Sequence, residues 1–244
     1  MGDGFAIHAL FDVLAWASAA AAGVWLMRSG TVKFPVPQPL RFPYLAALIF
    51  GAGLGAVVLG SANLWLSGQS GLARSIEGAI AGGIVAIEGY KRLAGITQRT
   101  GARFALPFAV GVAVGRIGCY LSGLDDFTYG TPTALPWGHD FGDGVPRHPV
   151  QLYESAAMAL FALVYLWRVL RHDRFFIDQG FYLAAGFYGA QRFVWEFFKP
   201  YGLLIGPFTL FHLLSAAVLV YAIVMIATAP GKNASASQPE FVSS

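Results

Sequence analysis

Two arginines stand inside apolar runs where a charge is costly, Arg116 in the run 102–122 and Arg192 in the run 178–198. An ionisable side chain within a bilayer costs roughly 2.5–3.5 kcal/mol on insertion scales, so each one asks for a reason. Each lies about six residues from one end of its run, which puts both guanidinium stems roughly 9 Å below the same surface. Two cations at one depth on different helices repel unless an anion sits between them, and a phosphate suits that place. Tyr188, Arg192 and Glu196 are spaced i, i+4, i+8 and share one helical face. An Arg192–Glu196 ion pair would neutralise one arginine and leave Arg116 unexplained.

A second group is the octet Arg147-His148-Pro149-Val150-Gln151-Leu152-Tyr153-Glu154. Pro149 suits the first position of a helix, with His148 near its N-cap and Gln151 and Glu154 in or near its first turn. Unpaired N–H groups and the positive end of the helix dipole make such a turn a site for phosphate. The plainer alternative is that Glu154 complements that dipole. Before the octet runs a segment, 123–148, carrying Asp125, Asp126, Tyr129, Gly130, Trp137, His139, Asp140 and Asp143. A connection this long is functional or disordered. Its Gly and Pro punctuation, with Trp137 and Phe141, predicts an ordered cap. His139, Asp140 and Asp143 are too sparse a donor set to assign a metal. Cys119 is the only cysteine, which excludes an intramolecular disulfide and a cysteine-based metal cluster. No metal and no cofactor are expected; Cys119 reads as a small packing residue, and His212 as part of helix packing.

The elements that must position these groups follow from composition. Apolar residues make up 56% of the 244-residue chain and charged residues only 12%, about half the usual share for a soluble domain; mean hydropathy is +0.59. Seven apolar segments, 5–27, 42–66, 75–93, 102–122, 149–169, 178–198 and 206–228, are near the length that crosses a bilayer. The third is the weakest, because Glu77 and Glu88 interrupt it. The expected fold is all-α and polytopic, a single membrane domain over 1–229 of about seven transmembrane helices. A cap lies within it at 123–148, and a small polar tail at 230–244 is expected to be disordered.

Eleven Lys and Arg residues fall in one set of alternate loops with the C-terminal tail, and three (Arg74, Arg147, Lys199) in the other. The positive-inside bias then puts the N-terminus outside and the C-terminus in the cytoplasm. The net charge of +3 marks this topology and forms no continuous basic face, so nucleic acid is excluded as a partner. Met1-Gly2-Asp3-Gly4 has no basic region, so no cleavable leader is expected. Gly51/Gly55, Gly78/Gly82 and Gly111/Gly115 have the spacing that lets helices approach closely in lipid.

Gly115-Arg116-Ile117-Gly118, Tyr129-Gly130, Leu135-Pro136-Trp137-Gly138, the octet 147–154 and Arg192-Phe193-Val194-Trp195-Glu196-Phe197-Phe198 together resemble the phosphatidylglycerol–prolipoprotein diacylglyceryl transferases over residues 5–225. The resemblance implies a seven-span inner-membrane enzyme with an external N-terminus. It places Arg116 on the family's lipid-phosphate arginine, Arg192 on its second essential arginine, Tyr188 and Glu196 beside the latter, and Gly130 on a glycine of the outer segment. Asp125 or Asp126 falls near an acidic position. Three positions depart from the pattern: Leu10 stands for a Tyr, Cys119 for an Asn, and Glu77-Gly78-Ala79 for a His-Gly-Gly signature whose histidine is the proposed base for the acceptor thiol.

The implied partners are phosphatidylglycerol, the signal peptides of prolipoproteins and the lipid bilayer itself. The implied chemistry moves the diacylglyceryl group of the lipid onto a lipobox cysteine. Arg116 and Arg192 bind phosphate and stabilise the leaving group, and Glu77 or His148 supplies the base. Gln151, Tyr153 and Glu154 line the headgroup site. The alternative is a noncatalytic phospholipid-binding or lipid-moving protein that kept the pocket, motivated by the change to Glu77.

Overall fold

The computed structural model describes residues 3–229. The tail expected to be disordered, 230–244, lies outside them. Seven α-helices make up the described chain: α1 (Asp3–Arg28), α2 (Arg41–Leu66), α3 (Ile76–Leu93), α4 (Ala105–Leu121), α5 (Val150–Leu170), α6 (Arg174–Glu196) and α7 (Leu210–Ala227). Five of them, all but α3 and α6, are long and apolar enough to cross a membrane. The chain is thus an all-α, polytopic membrane protein. The two helices below that threshold, α3 and α6, carry Glu77, Arg192 and Glu196, and all three side chains are buried. Large apolar side chains such as Trp16, Ile49, Phe50, Val85, Leu163 and Val220 face outward, as a lipid-facing surface requires.

Small residues set the helix contacts. The two Gly pairs of α2 and α3 face each other: a Cβ on Gly55 would lie 2.9 Å from the Gly82 Cα, and one on Gly51 would lie 2.8 Å from the Gly82 carbonyl oxygen. Gly111 and Gly115 lie against Ala19 and Ala15 of α1, and Gly189 of α6 lies against Ser215 and Leu219 of α7. Close approach of backbones stands in for the hydrophobic drive that lipid removes.

Helix starts have identifiable causes. Ser75 caps α3 by accepting from the Gly78 N–H at 3.2 Å. Asp173 caps α6 by accepting from Phe175 and Phe176, so α6 begins four residues before the expected 178. Thr209 and His212 form a reciprocal capping box on α7. A short hairpin of β3 (Leu203–Ile205) and β4 (Phe208–Thr209) fills the space before it, where the sequence reading had already begun the last span.

Segment 123–148 is ordered. It opens with a 3-10 turn, Gly123–Asp126, and closes with β1 (His139–Asp140) paired antiparallel to β2 (Pro146–Arg147). Thr131 N–H donates to the Phe198 carbonyl at 2.6 Å, and Trp137 Nε1 donates to the Tyr153 hydroxyl at 2.8 Å. These contacts dock the segment onto the start of α5 and the end of α6. Helix α5 starts at Val150, with Pro149 as its N-cap. Glu154 therefore lies past the first turn, and its partners are side chains rather than the helix dipole.

Candidate functional site

The buried polar residues converge on Arg192. Its Nε lies 3.1 Å from Glu77 Oε2 of α3, its Nη1 2.6 Å from Glu154 Oε1 of α5, and its Nη2 2.7 Å from Glu196 Oε2 one turn along α6. Each guanidinium nitrogen thus faces a different carboxylate, and the three carboxylates come from three helices. Arg116 of α4 reaches the other oxygen of Glu154 through its Nε. Lys199, just past α6, lies 3.0 Å from Glu154 Oε1. Glu154 is fully buried and joins all three cations.

With every group ionised, Arg116, Arg192 and Lys199 balance Glu77, Glu154 and Glu196. Balance of this kind is what makes six buried charges tolerable, since an unpaired one would cost several kcal/mol. Neutral groups extend the network. The Thr209 hydroxyl donates to Glu196 Oε1 at 2.6 Å, and Ser215 donates to Glu77 Oε1. His212 Nδ1 accepts from the Thr209 N–H at 3.1 Å, while its ring lies among Phe193, Phe197 and Phe208. Burial, and then the Arg192 charge, lower the Lys199 pKa to about 8, with Glu154 opposing them. Burial raises that of Tyr201, whose ring lies 5.8 Å from Lys199 Nζ.

The two arginines differ in what remains to them. Arg192 is saturated by carboxylates. Among the described residues Arg116 has one carboxylate, and its Nη1 donates only to Cys119 Sγ at 3.7 Å. Other buried polar atoms also lack protein partners: among the described residues, both amide atoms of the fully buried Gln151 and the hydroxyl of the buried Tyr188 make no hydrogen bond. Buried amides and hydroxyls of this kind are costly unless something polar meets them. Tyr188 lies in the field of Arg116, Arg192, Glu77 and Glu154.

The family model for prolipoprotein diacylglyceryl transferase matches this chain over residues 6–228, a span that contains the whole cluster. The chain belongs to that family. Curated relatives named phosphatidylglycerol–prolipoprotein diacylglyceryl transferase include one from Geobacter sulfurreducens, 32% identical over 75% of this chain and 74% of its own length. One from Methylococcus capsulatus is 31% identical over 85% and 86%, and one from Pseudoalteromonas atlantica 31% identical over 87% and 80%.

Within this diacylglyceryl transferase fold, Arg116, Arg192, Glu77, Glu154 and Glu196 form one connected network. The anion that joins the two arginines is the Glu154 carboxylate, where the sequence suggested a ligand phosphate. Arg192–Glu196 pairing is present, as one of three pairs. Gly130, Tyr153 and His148 form an adjoining group. The Gly130 N–H donates to the His148 carbonyl at 3.1 Å, and the His148 ring lies 4.8 Å from Phe198 with its Nδ1 3.5 Å from the Tyr153 hydroxyl. Among the described residues no hydrogen bond or ion pair ties His148 to either arginine. A Cβ on Gly130 would come within 2.7 Å of His148 Cβ and 2.8 Å of Val150 Cγ2, so glycine is what lets the cap close on α5.

The sparse loop donors are used locally. Asp140 accepts from the N–H groups of Gly142, Asp143 and Gly144, and Asp143 pairs with Arg147 at 2.7 Å, which holds its carboxyl below the usual range. Sequence reasoning misses three members of the network: Lys199 reads as a loop charge, and Thr209 and Ser215 carry no signature beyond a hydroxyl. It also passes over His8 outside the network, although a histidine in the first span is itself unusual.

Proposed function

We propose that this chain transfers the diacylglyceryl group of phosphatidylglycerol to the thiol of a lipobox cysteine in prolipoproteins, the first step of bacterial lipoprotein maturation. The reading is carried by one observation: Arg116 is fixed through Glu154 to a saturated Arg192 and, among the described residues, keeps donors to spare in the field it shares with the unpartnered Tyr188. The headgroup phosphate takes those donors. Arg192 holds Glu154, and through it the Arg116 guanidinium, at a fixed angle. The acceptor sulfur attacks the glyceryl carbon, a thioether forms, and the departing glycerol phosphate carries its new charge toward Arg116. Fixed cations in a site of low dielectric lower that barrier without reorganising. The positive-inside bias supports a periplasmic N-terminus in the inner membrane, with the site facing the leaflet where lipobox peptides arrive.

Glu77 favours a second reading. It stands where the family pattern has histidine, and both its oxygens are already engaged, one by Arg192 and the other by Ser215. A protein that binds the lipid without transferring it would have this feature. Incubation of the purified protein with phosphatidylglycerol vesicles and a lipobox peptide separates the two. A diacylglyceryl mass increment on the peptide, abolished by Arg116→Ala, supports the transferase. Lipid binding with no increment supports the noncatalytic reading.

A further inference from the structure

His8 of α1, Cys119 of α4 and Asp126 of the 3-10 turn stand together, one donor atom from each lying within 4.8 Å of the others. His8 Nε2 is 3.0 Å from Asp126 Oδ1 and 4.0 Å from Cys119 Sγ. The other ring nitrogen, Nδ1, lies 3.3 Å from Asp12 Oδ2, and Asp12 is itself 3.5 Å from Arg74 Nη2. The second oxygen of Asp126 accepts from the Thr128 hydroxyl. Both ring nitrogens therefore face carboxylates, so a proton or a metal ion must lie between Nε2 and Asp126. Two features favour the metal. A thiol completes a Cys/His/Asp donor set, and the back nitrogen carries the carboxylate partner that orients metal-bound histidines.

We propose that His8, Cys119 and Asp126 bind a divalent transition-metal ion of the zinc class, whose open fourth position takes the acceptor thiol. A tetrahedral zinc ion holds its nitrogen, sulfur and oxygen donors about 3.3–3.6 Å apart, given bond lengths of about 2.0–2.3 Å. The present separations, up to 4.8 Å, need shifts of at most about 1.5 Å to match. The sequence alone pointed away from a metal, because Cys119 has no second cysteine. The set is assembled by tertiary contact between α1, α4 and the turn.

The role of the open position rests on the transferase reading above and answers its missing base. A thiol that binds a zinc-class ion loses its proton outright, here to water at the outer face. The bound sulfur then forms the S–C bond to the glyceryl carbon. The C–O bond to phosphate breaks, and its electron pair leaves on the phosphate oxygen beside Arg116. The neutral thioether is a weaker ligand than the thiolate and departs. Cys119 itself forms no bond to carbon.

Cobalt titration of chelator-stripped, tag-free protein tests the proposal. The expected result is one cobalt per chain and a near-ultraviolet thiolate-to-metal charge-transfer band. That band vanishes in Cys119→Ser, whose melting temperature serves as a folding control. Asp126→Asn gives a second variant, with cobalt affinity weakened at least about tenfold. A lipobox peptide strengthens the band, and its Cys→Ser analogue does not. Absence of the band, or its survival in Cys119→Ser, overturns the site; a band unmoved by the peptide overturns the thiol role. Peptide thiolate bound at the metal with no diacylglyceryl transfer would keep this site and overturn the transferase reading. Full transfer by metal-free protein would do the reverse.

Discussion

Replacing Glu154 by Gln keeps the shape of the side chain and removes the one charge that Arg116, Arg192 and Lys199 share. All three cations are buried, so water cannot take over the lost interaction. Breaking a buried ion pair by neutralising one partner costs about 3–5 kcal/mol. At about 2–4 °C per kcal/mol for a chain of this size, the melting temperature in detergent falls by roughly 6–20 °C. Removing one of the stranded cations tests the cause. Glu154→Gln with Lys199→Met restores equal numbers of buried cations and carboxylates, and about half the lost stability returns. The two single variants and the double variant form a thermodynamic cycle, and contact predicts a coupling energy of about 1–3 kcal/mol. Glu154→Gln melting within about 2 °C of the parent, less than 1 kcal/mol on that scale, would refute the reasoning, as would strict additivity in the cycle.

Tyr188→Phe removes a buried hydroxyl that has no protein partner among the described residues, so stability holds or rises. Transfer falls about 2–10-fold, the worth of one hydrogen bond to the lipid headgroup, and unchanged turnover would remove Tyr188 from the site. Gly130→Ala drives a methyl group against His148 and Val150; overpacking of this kind costs about 1–3 kcal/mol. It loosens the cap, which proteolysis between 123 and 148 would report. Lys199 has a folded-state pKa of about 8 against an ordinary 10.5. Between those values the unfolded chain binds more protons than the folded one, so this group's contribution to stability rises as pH climbs from about 8 to about 10.5, by about 3 kcal/mol in all. Melting curves across that range show the rise in the parent, and Lys199→Met flattens it; an equal slope in both would contradict the assignment.

The fold was legible where physics acts along the chain. Seven apolar runs gave seven helices, and the glycine pairs at 51/55 and 78/82 marked the α2–α3 contact. Boundaries moved where short-range polar chemistry decides them: Asp173 starts α6 early by capping two N–H groups, and the hairpin 203–209 delays α7. The arginines and Glu196 were readable because a charge in an apolar run needs a partner. Which partner was not readable, since Glu154 approaches from a helix whose rotation only packing sets. Sequence reads Glu154 as lining the headgroup site, with the dipole of its own helix as the plainer alternative, whereas the fold makes it the carboxylate between Arg116 and Arg192. The His8–Cys119–Asp126 cluster was hidden for the same reason. His8 is more than a hundred residues from Cys119 and Asp126, and Gly118 brings it to them by letting Phe11 of α1 lie close against α4.

A structure of the protein solved with a short-chain phosphatidylglycerol tests the central claim most directly. The account places the headgroup phosphate with an oxygen about 2.7–2.9 Å from an Arg116 Nη atom, with Glu154 still linking Arg116 to Arg192. A phosphate held by Arg147 or other loop cations, with Arg116 untouched, would contradict it.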